Sequence, residues 1–198
     1  MKFTKMHGAG NDYVYIDARD QERDWHSLAV AMSDRHEGVG SDGIILVKDS
    51  DVANLRMRMF NADGSEGEMC GNGIRCLAGF ALTHDIVPAD TLPLVIETQV
   101  GDREVTSVAW DGCKVVRATV GMGQPSVAVA DIPVHAPGHE MIMDYPLKVD
   151  GQTFDISCVS MGNPHAVAFL DTPVDEVPLK ELGPLVENHP MFPQRVNF

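Results

Sequence analysis

The sequence predicts an α+β fold in which short strands far outnumber helices. Three observations carry that expectation. Nine short runs (12–17, 43–47, 55–60, 94–100, 104–110, 114–120, 147–149, 153–159 and 166–170) have strand character. Only three stretches show apolar residues at helical spacing. Gly101-Asp102 precedes one strand-like run and Asp111-Gly112 follows it, which marks a meander across 94–122.

Within 55–60 the alternation is explicit, with Leu55, Met57 and Met59 on one face and Arg56 and Arg58 on the other. Trp25, Leu28, Ala29 and Met32 form the first helical stripe, behind Asp24 as a cap. Ile74, Leu77, Ala78, Ala81 and Leu82 form the second, behind a glycine-rich turn. The third, over 179–187, contains Gly183-Pro184. Gly-Met-Gly-Gln-Pro at 121–125 reads as a hinge, which divides the chain into residues 1–121 and 122–198.

The 198 residues are enough for one large domain or two small ones. With 15 Lys and Arg against 29 Asp and Glu, the chain carries a formal charge of −14. Such a surface repels phosphate backbones, so nucleic acid and anionic membranes are poor partners. Aromatic residues, 6% of the chain, are too sparse for base-stacking platforms. No apolar run reaches the roughly 18 residues of a membrane span, and the N-terminus lacks a signal-peptide core. Four unevenly spaced cysteines, at 70, 76, 113 and 158, do not form a secreted disulfide framework. A reduced, cytoplasmic setting follows as an expectation.

Chemistry concentrates between Asn61 and Cys76. A strand ends in Asn61, a polar loop follows, and Cys70 stands just before Gly71-Asn72-Gly73 and the second helix. The N–H groups of a first helical turn lack intrahelical acceptors and attract anions. They favour a thiolate by up to about 2 kcal/mol in good geometry. A cysteine before an ordinary helix is most often packing; the two glycines, the carboxamide and the polar approach turn the reading towards chemistry. Cys76 lies inside the helix, and Cys113 and Cys158 lie in strand-like runs, so all three read as core. A redox pair of Cys70 and Cys76 is a weaker alternative, because five residues intervene.

Metal and nucleotide readings fare worse. The cysteine spacing is not that of a zinc site and no His-x₃₋₅-His follows. Asp63-Gly64-Ser65-Glu66 lacks the ligand spacing of a calcium loop. Gly8-Ala9-Gly10-Asn11 is no dinucleotide fingerprint. One internal echo stands out: Gly10-Asn11 and Gly162-Asn163 each precede an apolar run that ends in Asp.

These pieces resemble the diaminopimelate epimerases, cofactor-independent racemases that work with two cysteines. The resemblance rests on Lys5-Met6-His7-Gly8-Ala9-Gly10-Asn11-Asp12, Arg35-His36-Glu37-Gly38-Val39-Gly40-Ser41-Asp42-Gly43 and Phe60-Asn61-Ala62-Asp63-Gly64-Ser65-Glu66. It continues through Met69-Cys70-Gly71-Asn72-Gly73-Ile74-Arg75-Cys76, Ser160-Met161-Gly162-Asn163-Pro164-His165 and Phe192-Pro193-Gln194-Arg195-Val196-Asn197.

The resemblance implies two similar halves, each a curled, mostly antiparallel sheet around a central helix, with an amino-acid substrate in the cleft between them. A thiolate removes the α-proton from one face and a thiol on the other face returns one, interconverting LL- and meso-diaminopimelate without cofactor or metal. Cys70 matches one of the two cysteines. Asn11, Asn61, Asn72, Asn163 and Asn197 match asparagines that hold substrate, Gly71 matches a backbone contributor, and His165 matches a residue that tunes the cysteines. A homodimer is common in the family.

Two departures accompany the match. Some members carry Gln where this chain has Gly43, so one substrate-facing amide is expected to be missing or replaced. The family's Glu-Arg pair and second Cys-Gly turn have no counterpart before Phe198, so the second half is expected to be incomplete and this chain alone not to epimerise. A proline racemase-like or hydroxyproline epimerase-like isomerase, and a non-catalytic binding module, are the rival expectations.

Overall fold

The structure is a computed structural model and describes residues 1–198. It contains two compact units, Met1–Met122 and Gly123–Phe198. No helix is long and apolar enough to cross a membrane.

The first unit opens with a hairpin of β1 (Thr4–Gly8) and β2 (Asn11–Asp17). Its two-residue loop, Ala9-Gly10, has positive φ at both positions (53° and 87°), the twist that a tight hairpin requires. The Gly8-Ala9-Gly10-Asn11 run is therefore a β-turn, and it delivers Asn11 as the first residue of β2. Helix α1 (Trp25–Ser33) follows, capped as expected by Asp24, whose carboxylate accepts from Ser27 N at 3.1 Å. Strands β3 (Gly43–Lys48), β4 (Leu55–Asn61) and a two-residue β5 (Glu66–Gly67) lead to helix α2 (Gly71–Thr83). Strands β6 (Leu94–Glu97), β7 (Arg103–Asp111) and β8 (Lys114–Val120) complete the unit.

All eight strands form one sheet of order β1-β2-β3-β4-β6-β7-β8, with β5 paired to β4. Only the β2–β3 and β4–β6 pairings are parallel. Strands β2 and β3 are buried on both faces. Tyr13, Tyr15, Ile45 and Val47 join Ile74, Leu77 and Ala81 of α2 in one core. Val14, Ile16, Ile44 and Leu46 join Trp25, Ala29 and Met32 of α1 in another. Helix α2 touches β1 at one edge of the sheet and β8 at the other, so the sheet curls around it.

The second unit carries a three-stranded antiparallel sheet of order β11-β10-β9. Its strands are β9 (Tyr145–Val149), β10 (Gln152–Ser160) and β11 (Pro164–Ala168). Helix α3 (Leu179–Glu187), with Pro184 inside it, contributes Leu182 and Val186 to this unit's core. The α+β class and all three helices agree with the sequence.

Three local differences have physical causes. Strand β1 was not expected, because its charged and polar residues give no apolar alternation. Strand β6 stops at Glu97 rather than running to Val100, because Thr98 and Gly101 close a turn: Thr98 Oγ1 donates to Gly101 O, and Gly101 N donates to Thr98 O at 3.2 Å. Cys113 is not core. Asp111 pairs with Lys114, so Gly112 and Cys113 form the hairpin tip, and the thiol is exposed.

Candidate active site

Cys70 is the N-cap of α2, in an extended conformation (φ −133°, ψ 118°). Its Sγ accepts from Gly73 N at 3.3 Å and donates to Asn11 Oδ1 at 3.2 Å. The sulfur is half-buried, whereas Cys76 and Cys158 are buried. Burial pushes both of those thiols up, Cys158 to about 11. Cys70 is thus the one cysteine of four that combines partial access with a helix N-terminus.

The glycines around it divide into two kinds. At Gly73 an added Cβ would lie 2.5 Å from Ile45 Cδ1, so a side chain here would have to displace the buried end of Ile45 where α2 packs on β3. Tyr15 reinforces the same seam, its hydroxyl donating to Gly73 O at 3.1 Å. Gly71 is half-buried against Met122, and its N–H, like that of Asn72, lies in the turn that has no intrahelical acceptor. Those two amides are the ones suited to hold a carboxylate.

Asn11 connects the thiol to a charged cluster. Its Nδ2 donates to Asp42 Oδ2 at 2.7 Å, and Asp12 N donates to the same oxygen at 3.1 Å. Arg35 spans both acids, 2.7 Å from Asp12 Oδ1 and 2.9 Å from Asp42 Oδ1, and Lys5 lies 3.1 Å from Asp12 Oδ2. The Arg35 guanidinium, and then Lys5, hold the Asp12 carboxyl well below the usual carboxylate range. Tyr13 Oη faces Asn11 and Cys70, and burial pushes its hydroxyl up. Asp42, Arg35 and Tyr13 were missed as site residues. The available signal was an acid set between Ser41 and Gly43, just ahead of the apolar run 43–47, and two tyrosines alternating in another strand.

A depressed carboxyl makes stability depend on pH with a definite sign. The contribution of Asp12 is present above its ordinary range and is lost as pH falls towards its lowered value. Arg35→Gln is therefore expected to destabilise the first unit at pH 7, with the deficit against the parent shrinking below about pH 4. Urea unfolding at several pH values measures this. A deficit that does not change with pH would show that Arg35 acts by packing alone.

The remaining candidates are placed as follows. Asn72 is held by Arg75, which donates to its Oδ1. Asn61 ends β4 and donates to Ser65 Oγ at 3.0 Å. Gly43 pairs with Asn61, and a Cβ there would lie 2.1 Å from Phe60 O. The β3–β4 pairing therefore leaves no room for a side chain at this position. In the second unit, the turn between β10 and β11 presents Asn163, whose Oδ1 lies 3.0 Å from His165 Nε2. Asn197 runs beside His165 and donates to Pro164 O at 2.9 Å. The structure thus brings Asn11, Cys70, Gly71 and Asn72 to one end of α2, and gathers Asn163, His165 and Asn197 in the second unit. The two Gly-Asn echoes share a glycine of positive φ, but Gly10 closes a two-residue loop with Asn11 already in β2, whereas Gly162 lies in a three-residue loop that keeps Asn163 outside β11. No three His, Cys, Asp or Glu side chains gather as they would around a metal ion.

The family model described as diaminopimelate epimerase matches residues 3–128. The chain is 46% identical over its full length to the diaminopimelate epimerase of Methanococcus maripaludis, and 46% identical to that of Agathobacter rectalis, spanning 70% of each. Among solved structures, a hydroxyproline epimerase from Agrobacterium vitis superposes with a TM-score of 0.61 at 13% identity, over 94% of this chain and 54% of that one. That likeness is one of fold. On the family match and the full-length identity, the chain belongs to the diaminopimelate epimerase family.

Proposed function

We propose that Cys70 exchanges the α-hydrogen of diaminopimelate on one face of the stereocentre, as part of the interconversion of the LL and meso forms. The observation that carries this reading is the sulfur's position at the head of α2, between a backbone N–H and the carboxamide of Asn11. The Cα–H bond breaks, its proton joins Cys70 Sγ, and the electron pair delocalises into the substrate carboxylate. The N–H groups of Gly71 and Asn72 are suited to stabilise the charge that develops there. Inversion needs a second acid on the opposite face to return the proton.

Neutral carboxamides suit the non-reacting end of a zwitterion, because each both donates and accepts without placing a charge beside the thiolate. Asn11, Asn61 and Asn72 take that role in the first unit. In the second unit the reading assigns substrate contacts to Asn163 and Asn197, and adjustment of thiol reactivity to His165. A proline or hydroxyproline substrate has support from fold alone, against 46% identity to named diaminopimelate epimerases.

Alkylation by iodoacetamide, mapped by mass spectrometry, tests the assignment. In the folded protein Cys113 and Cys70 are expected to react, and Cys76 and Cys158 to stay silent. Diaminopimelate is expected to slow Cys70 alone, about tenfold at ten times its Kd. Proline should leave the rate unchanged. Equal Cys70 rates with and without saturating diaminopimelate would overturn the reading.

A further inference from the structure

The Asn11 carboxamide bridges Asp42 and Cys70, and its orientation follows from chemistry. A carboxylate offers acceptors only, so the end of Asn11 that lies 2.7 Å from Asp42 Oδ2 is its NH₂. The carboxamide oxygen is thereby committed to the sulfur, 3.2 Å away. Asp42 cannot readily turn aside: Asp12 N–H holds one carboxylate oxygen and Arg35 the other. Its backbone is fixed as well, its N donating to Asp12 O at 2.8 Å and its O accepting from Ala62 N at 3.1 Å.

An oxygen facing sulfur gives an S–H its acceptor and repels a bare S⁻. A carboxamide turned the other way would present NH₂ and favour S⁻. We infer that Asp42 is a positioning residue for Cys70: by holding Asn11 oxygen-first on the sulfur, it favours the protonated thiol in the ligand-free protein. The thiolate is then released when a ligand draws Asn11 Oδ1 away and leaves Sγ with the Gly73 N–H. The other titratable groups around Cys70 are Tyr13 and Tyr15 of β2 and Cys76 of α2, with Arg35 and Asp12 behind Asp42.

Asp42's role rests on Cys70 being the reacting thiol. The experiment is run without diaminopimelate, so its outcome is separate from ligand protection. The pH dependence of Cys70 alkylation is measured in the parent, Asp42→Asn, Asn11→Ala and the double variant. Asp42→Asn frees Asn11 to turn, and its midpoint is expected to move about one pH unit to the acid side, a tenfold faster reaction on the acid limb. In the Asn11→Ala background the same change is expected to move it by less than a third of that, the residue being the through-space effect of the lost charge. Asn11→Ala alone is expected to shift the midpoint in the acid direction too, since it removes the acceptor. Silent Cys76 and Cys158 report that each variant is folded. Should Asp42→Asn unfold, the Asn11→Ala midpoint decides. An unmoved midpoint in the folded variants, or an equal Asp42→Asn shift in both backgrounds, overturns the inference.

Discussion

Cys70→Ala is expected to lower the rate at which diaminopimelate exchanges its α-hydrogen for solvent deuterium by about 10²–10⁴-fold, the usual weight of a general base. The reasoning is local. Of the four thiols, one lies at a hairpin tip and two are buried, so none can replace the sulfur that α2 and Asn11 hold in place. Cys70 acts on one face of the stereocentre, so proton exchange through Cys70 alone brings in deuterium with retention, while inversion requires a second acid. Mass spectrometry and dichroism on one sample separate the two events. Exchange undiminished in Cys70→Ala would remove Cys70 from the chemistry. Inversion keeping pace with exchange would reveal an acid on the opposite face.

How far the sequence reveals this site depends on the range of the forces involved. The cap at Asp24, the stripe of α2 and the alternation of β4 are set by neighbours within a few residues, and a periodic reading finds them. Cys70 was legible for the same reason, since a thiol before glycines and an apolar stripe is a local pattern. Asp42 was not. Its importance comes from a hydrogen bond to Asn11 across 31 positions, and that pairing exists only because β2 and β3 run parallel. Gly73 has a role that its local pattern did not reveal: besides giving its N–H to the Cys70 sulfur, it lets α2 approach Ile45 of β3. Cys113 was misread because Gly112-Cys113 looks like the start of a strand until Asp111 and Lys114 are seen to pair.

Gly43→Ala tests the frame that holds this arrangement. The new Cβ would lie 2.1 Å from Phe60 O and 3.1 Å from Tyr13 Cε1. The first obstacle is backbone, on a strand pinned by a six-residue pairing with β3 and by β5 and β6 on its other side. It cannot rotate away as a side chain would. Overpacking of a core typically costs 1–3 kcal/mol, and with no rotamer to yield, the cost here is expected at about 3 kcal/mol or above. That corresponds to a fall in Tm of roughly 10 °C for a unit of this size. Gly121→Ala serves as the control, because its nearest obstacle is Glu104 O at 3.6 Å, an ordinary contact; its effect is expected within about 0.5 kcal/mol. Gly43 also joins Asp42 to β3, so any folded Gly43→Ala protein should show altered Cys70 alkylation. A variant as stable as its parent would mean that the β3–β4 ladder yields at its end, and that the close approach at Gly43 is not what fixes Asp42 and Asn11 beside the sulfur.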